Sequence, residues 1–142
     1  MQTIKAFLQG APRDICSVRP NQTVWEALQM LADNNIGALL VMEGTQMVGI
    51  FSERDYARRV ELKDRLTRET RVSDVMTAEF ITISPDQKMH ECMQIMTDNR
   101  IRHLPVMKDG QLVGMVSIGD VLLVMISEQK QLIEQLQSYI SG

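Results

Sequence analysis

The sequence predicts an α+β fold: two β-α-β-β-α repeats packed as a pseudo-twofold pair, with a short helix before them and a long helix after them. Three observations lead there. The chain aligns with itself, without a gap, at a shift of 65 residues. Each copy runs from a proline turn into a helical apolar period and then into two short strand-like runs. A unit of about 45 residues rarely buries enough surface to stand alone, so two such units would share a core.

The repeat is explicit. Pro20 falls on Pro85, Glu26 on Glu91, Asp33-Asn34 on Asp98-Asn99, Val48-Gly49 on Val113-Gly114, Ser52 on Ser117 and Asp55 on Asp120. From Pro20 to Asp55, 15 of 36 positions are identical, where chance would give about two. The period is too long for a solenoid, and there are only two copies.

Within each copy an extended piece comes first, Ile15 to Val18 or Phe80 to Ile83. A helix follows the proline. Val24, Ala27, Leu28 and Leu31 recur at i, i+3, i+4 and i+7, as do Met89, Cys92, Met93 and Met96. Thr23 and Glu26 form a capping-box pattern at the first of these starts. Strands are expected at Ala38 to Met42 and Met47 to Ser52, then at Leu104 to Met107 and Leu112 to Ser117. Their turns are Glu43-Gly44-Thr45 and Lys108-Asp109-Gly110. A second helix starts near Asp55 and again near Asp120.

The expected division is an N-terminal helix over 1–12, repeats over 13–62 and 76–126, a charged linker over 63–75 and a helical extension over 127–142. In the first segment Ile4, Phe7 and Leu8 share a helix face. In the last, Leu122, Ile126, Gln129, Ile133, Leu136 and Ile140 follow 4-3-4-3-4 spacing, a narrow apolar seam interrupted by Gln129. The seam could pack on the chain's own N-terminal helix. Its length favours contact with a second copy, and two-fold homodimers are the commonest oligomers.

Composition excludes several classes. The 142 residues carry 15 Lys plus Arg and 18 Asp plus Glu, a net charge of −3, with 44% hydrophobic residues. This is an ordinary globular balance. No run approaches the ~20 apolar residues of a membrane span, and residues 1–10 lack the apolar core of a secretory signal. The mild acidity argues against general nucleic-acid binding. Two distant cysteines, Cys16 and Cys92, fit a reduced, cytoplasmic setting.

The strongest constellation is Gly-x-x-Ser-x-x-Asp, present as Gly49-Ile50-Phe51-Ser52-Glu53-Arg54-Asp55 and as Gly114-Met115-Val116-Ser117-Ile118-Gly119-Asp120. Each copy sits where a strand gives way to a helix, whose N-terminus offers free N–H groups. Serine can donate to or accept from a phosphate or ribose oxygen. A carboxylate can accept from vicinal ribose hydroxyls, and the glycine would let a ligand approach the backbone. These parts suit a ribonucleotide. Ser-x-x-Asp before a helix is equally the sequence of a capping box, and a duplicated domain copies its caps too. The second feature is Arg102-His103-Leu104-Pro105-Val106, where Arg102 could offer a planar fork to phosphate and His103 a further donor; taken alone, the stretch reads more simply as an exposed arginine and a partly buried histidine at a turn. Its counterpart, Gly37-Ala38-Leu39-Leu40-Val41, carries no charge.

Over Ile15 to about Met125 the chain resembles a tandem cystathionine-β-synthase (CBS) domain pair, or Bateman module. The marks are the repeat, the two Gly-x-x-Ser-x-x-Asp stretches and Ile-Arg-His-Leu-Pro-Val. The run from Ser52 to Arg59 looks especially like small stand-alone CBS-pair proteins of bacteria and plant organelles. The resemblance implies two clefts that take adenosine nucleotides: AMP first, with ADP, ATP, NAD(H) or S-adenosylmethionine as alternatives. It also implies disk-shaped homodimers and control of another protein in trans. Carried over, Asp55 and Asp120 would hold ribose hydroxyls, and Ser52 and Ser117 would touch ribose or phosphate. Arg102 and His103, in the stretch that Pro105 closes, would face the phosphate. Ser17-Val18 and Thr82-Ile83 would border the base through backbone and apolar contacts. Ile36, Gly37 and Ala38 would line the first cleft, where Arg54 could supply the positive charge; Gly119 takes that place in the second. The second cleft therefore matches the phosphate-binding pattern more fully.

No catalytic triad, paired catalytic carboxylates or metal-ligand spacing is evident, so neither an enzyme nor a metal site is expected. Cys92 reads as core. The competing reading is a scaffold that binds no small molecule and works through its last helix.

Overall fold

The structure, a computed structural model, describes residues 2–10 and 15–141. They form two compact units. One holds residues 15–81; the other holds residues 82–141 together with 2–10.

In the first unit, β1 (Ser17–Val18) pairs in parallel with β2 (Ala38–Glu43), and β2 pairs antiparallel with β3 (Gln46–Ser52). The hairpin turns at Gly44, whose φ of 64° is a conformation glycine adopts without penalty. Helix α2 (Val24–Asn34) lies between β1 and β2 in sequence. Thr23 caps it, its Oγ1 accepting from the Glu26 N–H at 3.2 Å. The apolar positions read from the period meet in the core: Val24, Ala27 and Leu31 pack with Val18, Leu39, Val41 and Phe51. After β3 the chain makes one short helix, α3 (Glu53–Asp55), and continues as a π-helix over Tyr56–Glu61. The second helix expected in the first repeat is thus brief.

The charged segment that follows is docked on the unit rather than strung away from it. Val24 N–H donates to the Thr70 carbonyl at 2.8 Å and Trp25 N–H to Thr67 at 3.1 Å. Arg68 lies over the Trp25 ring, 4.1 Å from its centre. Helix α4 (Val72–Val75) then buries Val72 and Val75 in the same core, and Thr77 exchanges backbone hydrogen bonds with Ile50 at 2.8 and 2.9 Å.

The second unit repeats this plan. Helix α5 (Met89–Asn99) leads to β4 (His103–Lys108) and β5 (Gln111–Ser117), which form an antiparallel hairpin. Met89, Cys92 and Met96 are buried with Leu104, Val106 and Val116. The extended piece expected at Phe80 to Ile83 shrinks to a single bridge, Ile83 to Val106. The cause is one residue. In the first unit the Leu40 N–H donates to the Cys16 carbonyl; the equivalent of Leu40 is Pro105, which has no N–H to give. From Ile118 a single helix, α6, runs to Ser141.

The N-terminal helix α1 (Ile4–Gly10) does for this unit what residues 70–76 do for the other. Met89 N–H donates to the Gln2 carbonyl, as Val24 does to Thr70. Ile4 N–H donates to Gln87 and Lys5 to Pro85, as Val72 does to Gln22 and Ser73 to Pro20. Ile4, Phe7 and Leu8 take the places of Val72, Val75 and Met76 in their cores. Each repeat is therefore closed by the segment that precedes the other repeat in the chain.

Candidate functional site

The duplicated Ser-x-x-Asp stretches form matching caps. The Ser52 N–H donates to Asp55 Oδ2 at 2.9 Å, and the Asp55 N–H donates back to Ser52 Oγ at 3.2 Å. In the second unit the same bonds join Ser117 and Asp120, at 2.8 and 3.1 Å. Both aspartates are 8% exposed. The capping box at Ser52 is complete, so the local role read from the sequence is real in both repeats.

The hairpin brings the other sequence candidates to the same end of each unit. Ala38 lies opposite Ser52 in the β2–β3 register, and the Gly37 carbonyl accepts from the Glu53 N–H at 3.1 Å. Likewise His103 lies opposite Ser117, and the Arg102 carbonyl accepts from Ile118 at 2.9 Å. Ile36, Gly37 and Ala38 thus stand beside Ser52 and Asp55, with Arg54 exposed on α3. Arg102 and His103 stand beside Ser117, with Gly119 in the first turn of α6. A Cβ at Gly119 would approach only Ser117 Oγ, at 3.6 Å, so the fold itself does not require glycine there.

Three expectations change. The glycines that open the motif do not face a ligand: a Cβ on Gly49 would meet Met76 Sδ at 2.7 Å and the Thr77 carbonyl at 3.0 Å, and one on Gly114 would meet Leu8 at 2.9 Å. They admit the chain's own closing segments. Val18 and Ile83 point their side chains into the cores, 2% and 3% exposed, and so have no apolar surface to offer a base. The Ile83 N–H and carbonyl are also bonded to Pro105 and Met107. Pro105 is itself buried within β4. Only Ser17 and Thr82 of the two edge pairs are exposed.

Two further residues contact Asp55. Thr77 donates its hydroxyl to Asp55 Oδ1 at 3.0 Å. Arg59 places Nε 3.9 Å from the same oxygen and donates from Nη1 to the Met76 carbonyl at 2.8 Å. The Arg59 contact is an i, i+4 pair and was legible by spacing; Thr77 is 22 residues away and gave no local signal. Ser52 Oγ also donates to Asp55 Oδ2, at 3.0 Å. Three of the roughly four acceptor positions of the Asp55 carboxylate are therefore filled.

Cys92 lies in the core, where burial pushes its thiol up to about 11. Among the described residues no cluster of His, Cys, Asp and Glu is placed to hold a metal, and no helix is long and apolar enough to cross a membrane.

The duplicated unit, its caps and its hairpins define a tandem CBS-domain protein. The CBS domain family model matches residues 12–62 and 72–127, and the chain belongs to that family. It is 42% identical over 127 residues to the mitochondrial CBS domain-containing protein CBSX3 of Arabidopsis thaliana, covering 86% of this chain and 62% of that relative's length. It is 33% identical over 115 residues to the CBS domain-containing protein YhcV of Bacillus subtilis, covering 81% of each. A solved structure of a protein with CBS domains from Burkholderia ambifaria superposes with a TM-score of 0.86 at 43% identity, covering 90% of this chain and 96% of that one.

Proposed function

We propose that the chain is a regulatory, non-catalytic module that binds an adenosine nucleotide at the capped end of its repeats, works as a homodimer in a cytoplasmic setting and acts in trans on another protein. One observation carries this reading: in both units a Ser–Asp box, a backbone carbonyl (Gly37 or Arg102) and the first residues of a strand converge at one end. A nucleotide there would meet hydroxyl, carboxylate and backbone groups together. The unit with Arg102 and His103 carries the better complement for phosphate, so AMP is the favoured ligand there, with ADP, ATP, NAD(H) and S-adenosylmethionine to be compared. Since most of its acceptor positions are filled, Asp55 has room for about one ribose hydroxyl rather than two. A ligand of this kind regulates only if it binds one state of the module better than another; a tenfold preference shifts the balance by about 1.4 kcal/mol.

Thermal unfolding of nucleotide-stripped protein against these ligands tests the proposal, with Asp55→Ala and Asp120→Ala alongside. Ligand at 100 times its dissociation constant should stabilise by about 2.7 kcal/mol. Removing the carboxylate of the working site should cost about 1.5–3 kcal/mol of binding. The completeness of the Ser52–Asp55 box supports a second reading, a scaffold whose serines and aspartates are caps alone. In that case Asp120→Ala lowers stability by about 1 kcal/mol and no nucleotide shifts the transition.

A further inference from the structure

Helix α6 has two apolar faces, and its own unit uses only one. Val121 and Val124 are buried in the core of the second unit, and Glu128 Oε1 accepts from the Gln2 N–H at 3.3 Å. The 4-3-4 seam lies about 120° round the helix from these residues. Every residue from 131 to 141 is exposed, yet the stretch contains Ile133 and Leu136, each 53% exposed, and Ile140. Three helical turns without tertiary contact are marginal in water, so this end needs a partner to persist.

The seam also states what kind of partner fits. Its a positions are Ile126, Ile133 and Ile140, and its d positions are Leu122, Gln129 and Leu136. β-Branched residues at a with leucine at d favour two parallel strands, and one polar residue on the seam sets register. The charges agree. In a parallel pair each Lys130 flanks the seam beside the partner's Met125, with no like charge facing it. Centred antiparallel, the two Lys130 side chains would oppose each other.

We infer that residues 122–140 of α6 form a parallel two-stranded coiled coil with a second copy of this chain, with the two Gln129 side chains facing each other across the seam. The inference rests on the homodimer reading above and is independent of any nucleotide. Oxidative crosslinking in a Cys16→Ser background tests it, since Cys92 is buried. The expected result is that the parent protein sediments as a dimer, that Gln129→Cys doubles in mass on a non-reducing gel, and that Glu134→Cys, on the outward face, does not. Parallel pairing brings two d positions within disulfide reach. A dimer in which Gln129→Cys crosslinks no better than Glu134→Cys overturns the seam and leaves a homodimer joined elsewhere. A monomeric parent protein overturns both readings. Neither substituted side chain is part of a core, so misfolding does not cloud the result.

Discussion

The Thr77 hydroxyl donates to Asp55 Oδ1 at 3.0 Å and ties the cap of α3 to the segment that closes the first unit. The same carboxylate thus holds its own helix start, the π-helix through Arg59 and the edge pairing of Thr77 with Ile50. Thr77→Val keeps the shape and deletes the donor. It should lower stability by about 1–2 kcal/mol, because hydrogen bonds to charged groups are the stronger ones. Titration calorimetry should show nucleotide affinity unchanged or raised, since an acceptor position on Asp55 is released. A tenfold loss of affinity would mean that the hydroxyl touches ligand.

Gly119 offers a separable test of ligand approach. Its Cβ position is open to within ordinary contact of Ser117 Oγ. Gly119→Ala should leave stability unchanged or raise it by up to about 1 kcal/mol through helix propensity, read as an unchanged or higher melting temperature. If a phosphate sits against that backbone, affinity should fall while the fold is intact. Equal affinity in the two proteins would move the phosphate away from the first turn of α6.

The closing segments predict which half loosens. Ile4 is fully buried among residues of the second unit. Ile4→Ala should cost about 2–5 kcal/mol. Hydrogen exchange should accelerate in β4, β5 and α5 while β2 and β3 keep their protection. Loss of protection in β2 and β3 instead would contradict the assignment of α1 to the second unit.

The Cys92 thiol carries a pH dependence with a definite sign. Its pKa is raised to about 11 by burial, above an ordinary value of 9.0. The native state therefore holds the proton more tightly than the unfolded one. The resulting stability is fully present below about pH 9 and is lost as pH rises toward 11. Cys92→Ala, whatever its packing cost, should flatten that part of the stability profile. At pH 8, iodoacetamide should spare Cys92 in the native protein and label it after unfolding, as mass mapping would read.

What the sequence revealed and what it hid divide by range. The caps at Ser52–Asp55 and Ser117–Asp120 span three residues, so spacing alone exposed them. The core positions of α2 and α5 follow the helical period, and the 65-residue shift doubled every such clue. The role of Gly49 could not be read, because its reason is Met76 and Thr77, which only the folded chain brings near. The burial of the Val18 and Ile83 side chains could not be read, because a two-residue strand and a single bridge have no alternation from which to tell an inner face. The loss of a paired strand beside β4 was in principle visible as Pro105, yet its weight depended on knowing that Leu40 gives its N–H at that place.

The exchange of closing segments has a consequence for the timing of folding. Residues 15–81 emerge from the ribosome with everything their core requires. Residues 2–10 are made earlier but have no place to dock until Met89, Val121 and Val124 have been synthesised. At ~5–20 residues per second that interval is roughly 6–23 s. Ile4, Phe7 and Leu8 stay without their partners throughout it, and over its last stretch, once residue 81 is made, one half of the protein is already finished. The two halves are therefore products of one synthesis that cannot be severed between the repeats: a chain cut near residue 81 would leave the second half without its first helix.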